Sequence, residues 1–148
     1  MENQIRRMRQ LYPDFEITFN GGWHVVWVGE LRPFAKTYRV RVSLILKDRL
    51  DEIRIVAPFP QVRLIEPTLI TRTDRAPGVL VPHIYPNVSD LTHSELCLFD
   101  PAQREWTRDM AVAETTIPWA INWLVSYEGW LATGEWTGGG RDHGGTNK

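Results

Sequence analysis

Tyr38, Val40, Val42, Leu44 and Leu46 alternate with Arg39, Arg41 and Ser43. A two-residue period places the apolar side chains on one face of a single strand. That face needs cover, and its neighbours in sequence supply partners. Trp23, Val25 and Trp27 begin a strand that ends near Gly29-Glu30. Phe15, Ile17 and Phe19 read as a half-buried strand before it, joined through the turn Asn20-Gly21-Gly22. Lys47-Asp48-Arg49 reads as the next turn and Ile53–Val56 as a fourth strand. Ala57-Pro58-Phe59-Pro60 should break any ladder beyond it, with Val62, Leu64 and Ile65 in one further extended piece.

The two ends read differently. Ile5, Met8, Leu11 and Tyr12 recur at helical steps, so Met1 to Leu11 is expected to be an amphipathic helix stopped by Pro13. A second helix starts at Thr116, with Pro118 in its first turn and Gly134 as its stop. Its stripe of Trp119, Trp123, Trp130 and Leu131, with Ala120, Leu124 and Tyr127, reads as core. Helix, antiparallel meander, long loop and helix make an α+β domain.

At 148 residues with 43% hydrophobic content, the chain fits one core, to which seven Trp and five Phe contribute large areas. The domain is expected to occupy residues 1–137, with a Gly-rich tail over 138–148. A formal charge of -1 supplies no field for nucleic acid. No apolar run approaches a membrane span, and Arg6, Arg7 and Arg9 interrupt any signal-like N-terminus. The expectation is therefore a cytoplasmic protein without nucleic-acid or membrane partners. His24, His83, His93 and His143 show no paired ligand spacing, and with one cysteine a metal site is not expected. No cofactor is expected, and no nucleotide-binding motif occurs. Gly138-Gly139-Gly140 does not follow a strand and open a helix, so it is not a phosphate loop.

Residues Thr71 to Asp109 show prolines, scattered polar residues and no sustained period, as long functional loops do. They contain the single cysteine, Cys97. Any thiol chemistry must run through it. Flanked by Leu96 and Leu98, Cys97 also fits the description of a small packed hydrophobe.

Val81-Pro82-His83-Ile84-Tyr85-Pro86-Asn87, then Leu96-Cys97-Leu98-Phe99-Asp100, then Glu105-Trp106, resemble the ubiquitin-conjugating enzyme (UBC-fold) superfamily. That family carries His-Pro-Asn, an apolar-Cys-Leu element and a Trp before its C-terminal helices. Trp23–Gly29 and Tyr38–Val42 resemble its second and third strands, and Ala57–Val62 its proline loop. The resemblance covers Met1 to Trp136. The tripeptide here is Tyr85-Pro86-Asn87, with His83 two residues upstream. Asn87 precedes Cys97 by ten positions, and one long helix stands where two are common. These departures place the chain nearer the bacterial members of cyclic-oligonucleotide-based antiphage (CBASS) operons.

The resemblance implies a transferase in which Cys97 holds a protein C-terminus as a thioester and passes it to an amine. Its implied partners are a ubiquitin-like protein or a cGAS-like nucleotidyltransferase, with a separate activating enzyme. A thiolate is a strong nucleophile whose thioester reacts with amines. Such a thiol is expected at the surface, beside the Tyr85–Asn87 loop. The Asn87 amide suits an oxyanion, although Pro86-Asn87 equally suits an Asx-type turn. Asp100 and Glu95 are candidates to orient the amine, or are solvated loop carboxylates. His83 either polarises the thiol or caps a turn, and Tyr85 stands in a supporting position. His143, in the glycine-rich tail, is a further supporting candidate. The rival reading is a catalytically silent binding module of the same fold.

Overall fold

A computed structural model describes residues 1–46, 59–76 and 79–138. Helix α1 (Glu2–Leu11) leads into strands β1 (Glu16–Asn20), β2 (His24–Leu31), β3 (Tyr38–Ile45) and β4 (Gln61–Glu66). They form one sheet in the order β1-β2-β3-β4, with every neighbouring pair antiparallel. Two short strands, β5 (Ile84–Tyr85) and β6 (Glu95–Leu96), pair separately, and α2 (Thr116–Thr133) closes the fold.

The alternation of β3 appears directly in its burial. Tyr38, Val40, Val42 and Leu44 are fully covered, together with Val25 and Trp27 of β2 and Val62 and Leu64 of β4. They meet Ile117, Ala120, Trp123, Leu124, Tyr127 and Trp130 of α2 in one core. The tryptophan stripe is thus structural.

Of the strand expectations, the extended piece after the prolines is present and the first strand needs correction. The fourth strand of the described sheet is Gln61–Glu66, the extended piece expected at Val62, Leu64 and Ile65 after the prolines. Pro60 lies just before the strand, where its missing N–H breaks no ladder. Ile53–Val56 lies outside the described residues. In β1 the apolar residues are not half-buried: Ile17 is 38% and Phe19 50% exposed. The strand lies at the sheet edge, and its register slips between Ile17 and Phe19. Ile17 therefore stands opposite Trp27, while Phe19 stands opposite Val26 on the outward face. Trp23 likewise stays 47% exposed and precedes β2.

Phe15 is the aromatic of this segment that reaches the core. Its ring lies over Gly29, where a Cβ would come within 2.4 Å of it. Helix α1 is tied in by Gln4, a buried polar residue. Its Nε2 donates to Met110 O at 2.8 Å and its Oε1 accepts from Val112 N at 2.9 Å.

The segment after β4 clamps the far end of α2. Tyr127 OH accepts from Ile70 N at 3.0 Å and donates to Ile70 O at 3.2 Å. Arg72 Nη1 donates to Trp130 O and Leu131 O, and Arg75 Nη2 to Gly134 O. Two guanidinium groups thus satisfy the terminal carbonyls and complement the helix dipole. Gly134 ends the helix at φ 83°. Among the described residues no helix is long and apolar enough to cross a membrane.

Candidate active site

The loop between β4 and α2 presents its chemistry on the β5–β6 pair. Ile84 pairs with Leu96 and Tyr85 with Glu95. Ile84 and Leu96 are buried in the core, so alternation turns Tyr85 and Glu95 to the other face. The ladder runs one step further, because Cys97 N donates to His83 O at 2.9 Å. Cys97 therefore shares the face of Tyr85.

The thiol is not on open surface. Cys97 is only 7% exposed, which corrects the expectation of a freely accessible sulfur. The cause is the chain that follows it. Phe99 packs edge-on to Phe59 at 5.7 Å and against Trp119 at 5.6 Å, so residues 97–99 are drawn inward. A cavity of about 20 Å³, lined by Phe59, Gln61, Tyr85, Leu98 and Phe99 among others, lies alongside. It has room for about one water.

The Phe99 carbonyl is the meeting point of the site. Cys97 Sγ donates to it at 3.8 Å and Tyr85 OH at 3.5 Å. The Tyr85 hydroxyl also hydrogen-bonds the Cys97 side chain. Burial, then Cys97, then Asp100 raise the Tyr85 phenol well above its ordinary value. It therefore stays protonated and acts as a donor.

His83 contributes through its backbone. Its φ is 53°, a left-handed conformation that histidine tolerates better than most side chains. Its carbonyl accepts from both Cys97 N and Trp123 Nε1, the latter at 2.8 Å. Its ring lies 5.0 Å from that of Trp136. The histidine thus joins the cysteine strand to α2.

Asn87 is exposed, and its Oδ1 accepts from Ser89 N at 3.0 Å and Asp90 N at 3.2 Å. Its own N–H donates to Ser94 Oγ at 3.0 Å. Those bonds are an Asx-type turn. Asp100 caps the 3-10 turn Pro101–Gln103, with Oδ1 accepting from Ala102 N at 2.9 Å. Its N–H donates to Glu105 Oε2 at 2.6 Å. Glu95 is no solvated loop carboxylate. Burial raises its carboxyl above the ordinary value, and Arg63 and Arg41, opposite each other on β4 and β3, pull it back. Trp106 is buried in the core. His143 lies outside the described residues. Among those that are described, no group of three or more His, Cys, Asp or Glu is placed to hold a metal ion.

With that geometry in hand, comparison with known families is decisive at one point. A family model described as type II CBASS E2 protein matches residues 4–144. The chain belongs to this family. No curated protein matches it. It is accordingly an E2-like protein of CBASS antiphage defence.

In this E2-like chain the loop from His83 to Asp100 gathers Cys97, Tyr85, Asp100 and the His83 carbonyl. Asn87 holds the same loop from outside. The contribution of the Phe99 carbonyl escapes sequence reasoning, because any residue type carries a carbonyl. The apolar run Leu98-Phe99 between Cys97 and Asp100 was its one available signal.

Proposed function

We propose that this E2-like protein is an acyl-carrier transferase working through Cys97. The sulfur attacks the activated C-terminal carboxyl of a protein partner and holds it as a thioester. It then yields the acyl group to an amine. The partner is a cGAS-like nucleotidyltransferase or a ubiquitin-like protein, and a separate enzyme activates its carboxyl. Asn87 serves by holding the loop. Asp100, close enough to act electrostatically on Tyr85, draws the cationic acceptor amine toward the site.

The observation that carries this reading is the placement of the single cysteine. In a chain of the E2 family, Cys97 is fixed through its backbone to His83 and shares an acceptor with a tyrosine hydroxyl.

The low exposure of Cys97 favours a second reading, a binding module that recognises the partner without using the thiol. Intact-mass measurement with a partner bearing a prepared C-terminal thioester separates the two. A carrier accumulates a reductant-labile adduct that Cys97→Ala lacks. A binding module forms the complex, with or without Cys97, and no adduct.

A further inference from the structure

We propose that Tyr85 is a catalytic residue, its hydroxyl donating a hydrogen bond to the Cys97 sulfur whenever that sulfur carries negative charge. The proposal rests on the reading of Cys97 as the acyl carrier and adds a group that supports the chemistry at sulfur.

The geometry begins with the register. Tyr85 pairs with Glu95, and Cys97 N–H bonds the carbonyl two residues before Tyr85. The tyrosine is therefore the diagonal cross-strand neighbour of the cysteine on the same face, within reach of a long aromatic side chain. Both side chains then converge on one oxygen. Phe99 O lies 3.5 Å from Tyr85 OH and 3.8 Å from Cys97 Sγ. Phe59 and Trp119 hold the Phe99 ring from two sides, which fixes that oxygen.

The shared acceptor defines what happens on ionisation. A neutral thiol donates to Phe99 O. A thiolate has no proton to donate and is repelled by the carbonyl dipole. The Tyr85 hydroxyl rotates freely about its C–O bond, and the same oxygen hydrogen-bonds the Cys97 side chain. It supplies a hydrogen-bond donor to the thiolate. Its raised pKa, from burial and from Cys97 and Asp100, means that it donates and does not remove protons.

Asn87, which the sequence motif nominates, is less suited to this task. It is exposed, where water competes for the hydrogen bonds its amide could donate. Tyr85 is partly covered, where a charge-assisted hydrogen bond is stronger than in water.

Two steps gain. In loading, the Cys97 thiolate attacks a carboxyl carbon activated as a mixed anhydride or as another protein's thioester. The C–S bond forms and the anhydride or thiolate leaving group departs with its electron pair. In discharge, the amine nitrogen attacks the thioester carbon, the C–N bond forms and the C–S bond breaks. The pair returns to Sγ, and the amine proton passes to solvent. Sulfur is anionic at the start of the first step and at the end of the second. Tyr85 keeps its proton throughout.

Tyr85→Phe tests this by removing one oxygen atom. The ultraviolet thiolate absorbance of Cys97 is titrated in wild type and variant, with Cys97→Ala subtracted to remove the tyrosine signal. The midpoint should move up by about one pH unit or more, since hydrogen bonds to charged groups are worth about 10- to 100-fold. Single-turnover discharge to free lysine should fall by about the same factor, with an unchanged thermal melt. A donor that merely packs would move the melt and leave the titration alone. An unmoved midpoint overturns the proposal, whatever the conjugation assay gives. Absence of a wild-type thioester overturns the carrier reading instead, and the titration still decides whether Tyr85 donates to the sulfur.

Discussion

Asn87→Ala separates two roles that the sequence leaves open. The Asn87 side chain accepts from Ser89 N at 3.0 Å and from Asp90 N at 3.2 Å. Its backbone bond to Ser94 Oγ survives the substitution. A typical hydrogen bond contributes about 0.5–1.5 kcal/mol net, and water can satisfy both freed N–H groups at this exposed site. The sum is therefore near the lower end, about 1–2 kcal/mol. For a chain of this size that corresponds to a fall of about 3–8 °C in melting temperature. The assay pairs a thermal melt with single-turnover discharge of preloaded protein to free lysine. A structural Asn87 gives a lowered melt, with loading and discharge weakened together by a modest factor. An oxyanion donor instead gives an unchanged melt and a discharge about 100- to 1,000-fold slower. The second result would refute the assignment of Asn87 to the loop.

Two further predictions concern stability. Gln4→Ala strips partners from the Met110 carbonyl and from Val112 N–H, so it should destabilise by about 2–4 kcal/mol; an unchanged denaturation midpoint would show that α1 does not depend on this amide. Burial raises the Glu95 carboxyl despite Arg63 and Arg41. The folded chain then holds that proton to higher pH than the unfolded chain, so the group's contribution is fullest below the ordinary carboxylate value and is lost as pH rises through the raised one. Glu95→Gln removes that loss. Its melting temperature relative to wild type should rise between about pH 4 and neutrality, and a constant difference would contradict the sign.

What the sequence made legible follows from periodicity. The alternation through Tyr38–Leu46 marked the buried face of β3, because a central strand covered on one side by a helix enforces a strict period. Thr116, Pro118 and Gly134 marked α2 through local backbone chemistry. The edge strand was misread for the complementary reason. Phe15, Ile17 and Phe19 alternate in sequence, but a register slip reverses the facing after Ile17, and no residue type announces it. Val62, Leu64 and Ile65 marked the extended piece after the prolines, but its place in the sheet was not legible, since pairing of Val62 with Val42 joins segments twenty residues apart.

At the site, residue types pointed to Cys97, Tyr85, Asn87, Asp100 and His83, and the structure links these residues to one loop. Their geometry was not legible. The usefulness of His83 lies in its carbonyl, that of Phe99 likewise, and the low exposure of Cys97 follows from aromatic packing across three distant segments. Gln4 was invisible for the same reason: its two partners are backbone groups more than a hundred residues away.

The most direct test of the central claim is intact-mass analysis of wild type, Cys97→Ser and Cys97→Ala after incubation with a cGAS-like nucleotidyltransferase carrying a prepared C-terminal thioester. That activated partner removes dependence on a separate activating enzyme. The wild type should gain the acyl mass of the partner and lose it on reduction. Cys97→Ser should trap an ester that survives reductant and falls apart in mild base. Cys97→Ala should gain nothing while keeping the wild-type melt, since one small sulfur is removed. An adduct of equal yield on Cys97→Ala, or none on wild type while the complex forms, would contradict a carrier role for Cys97.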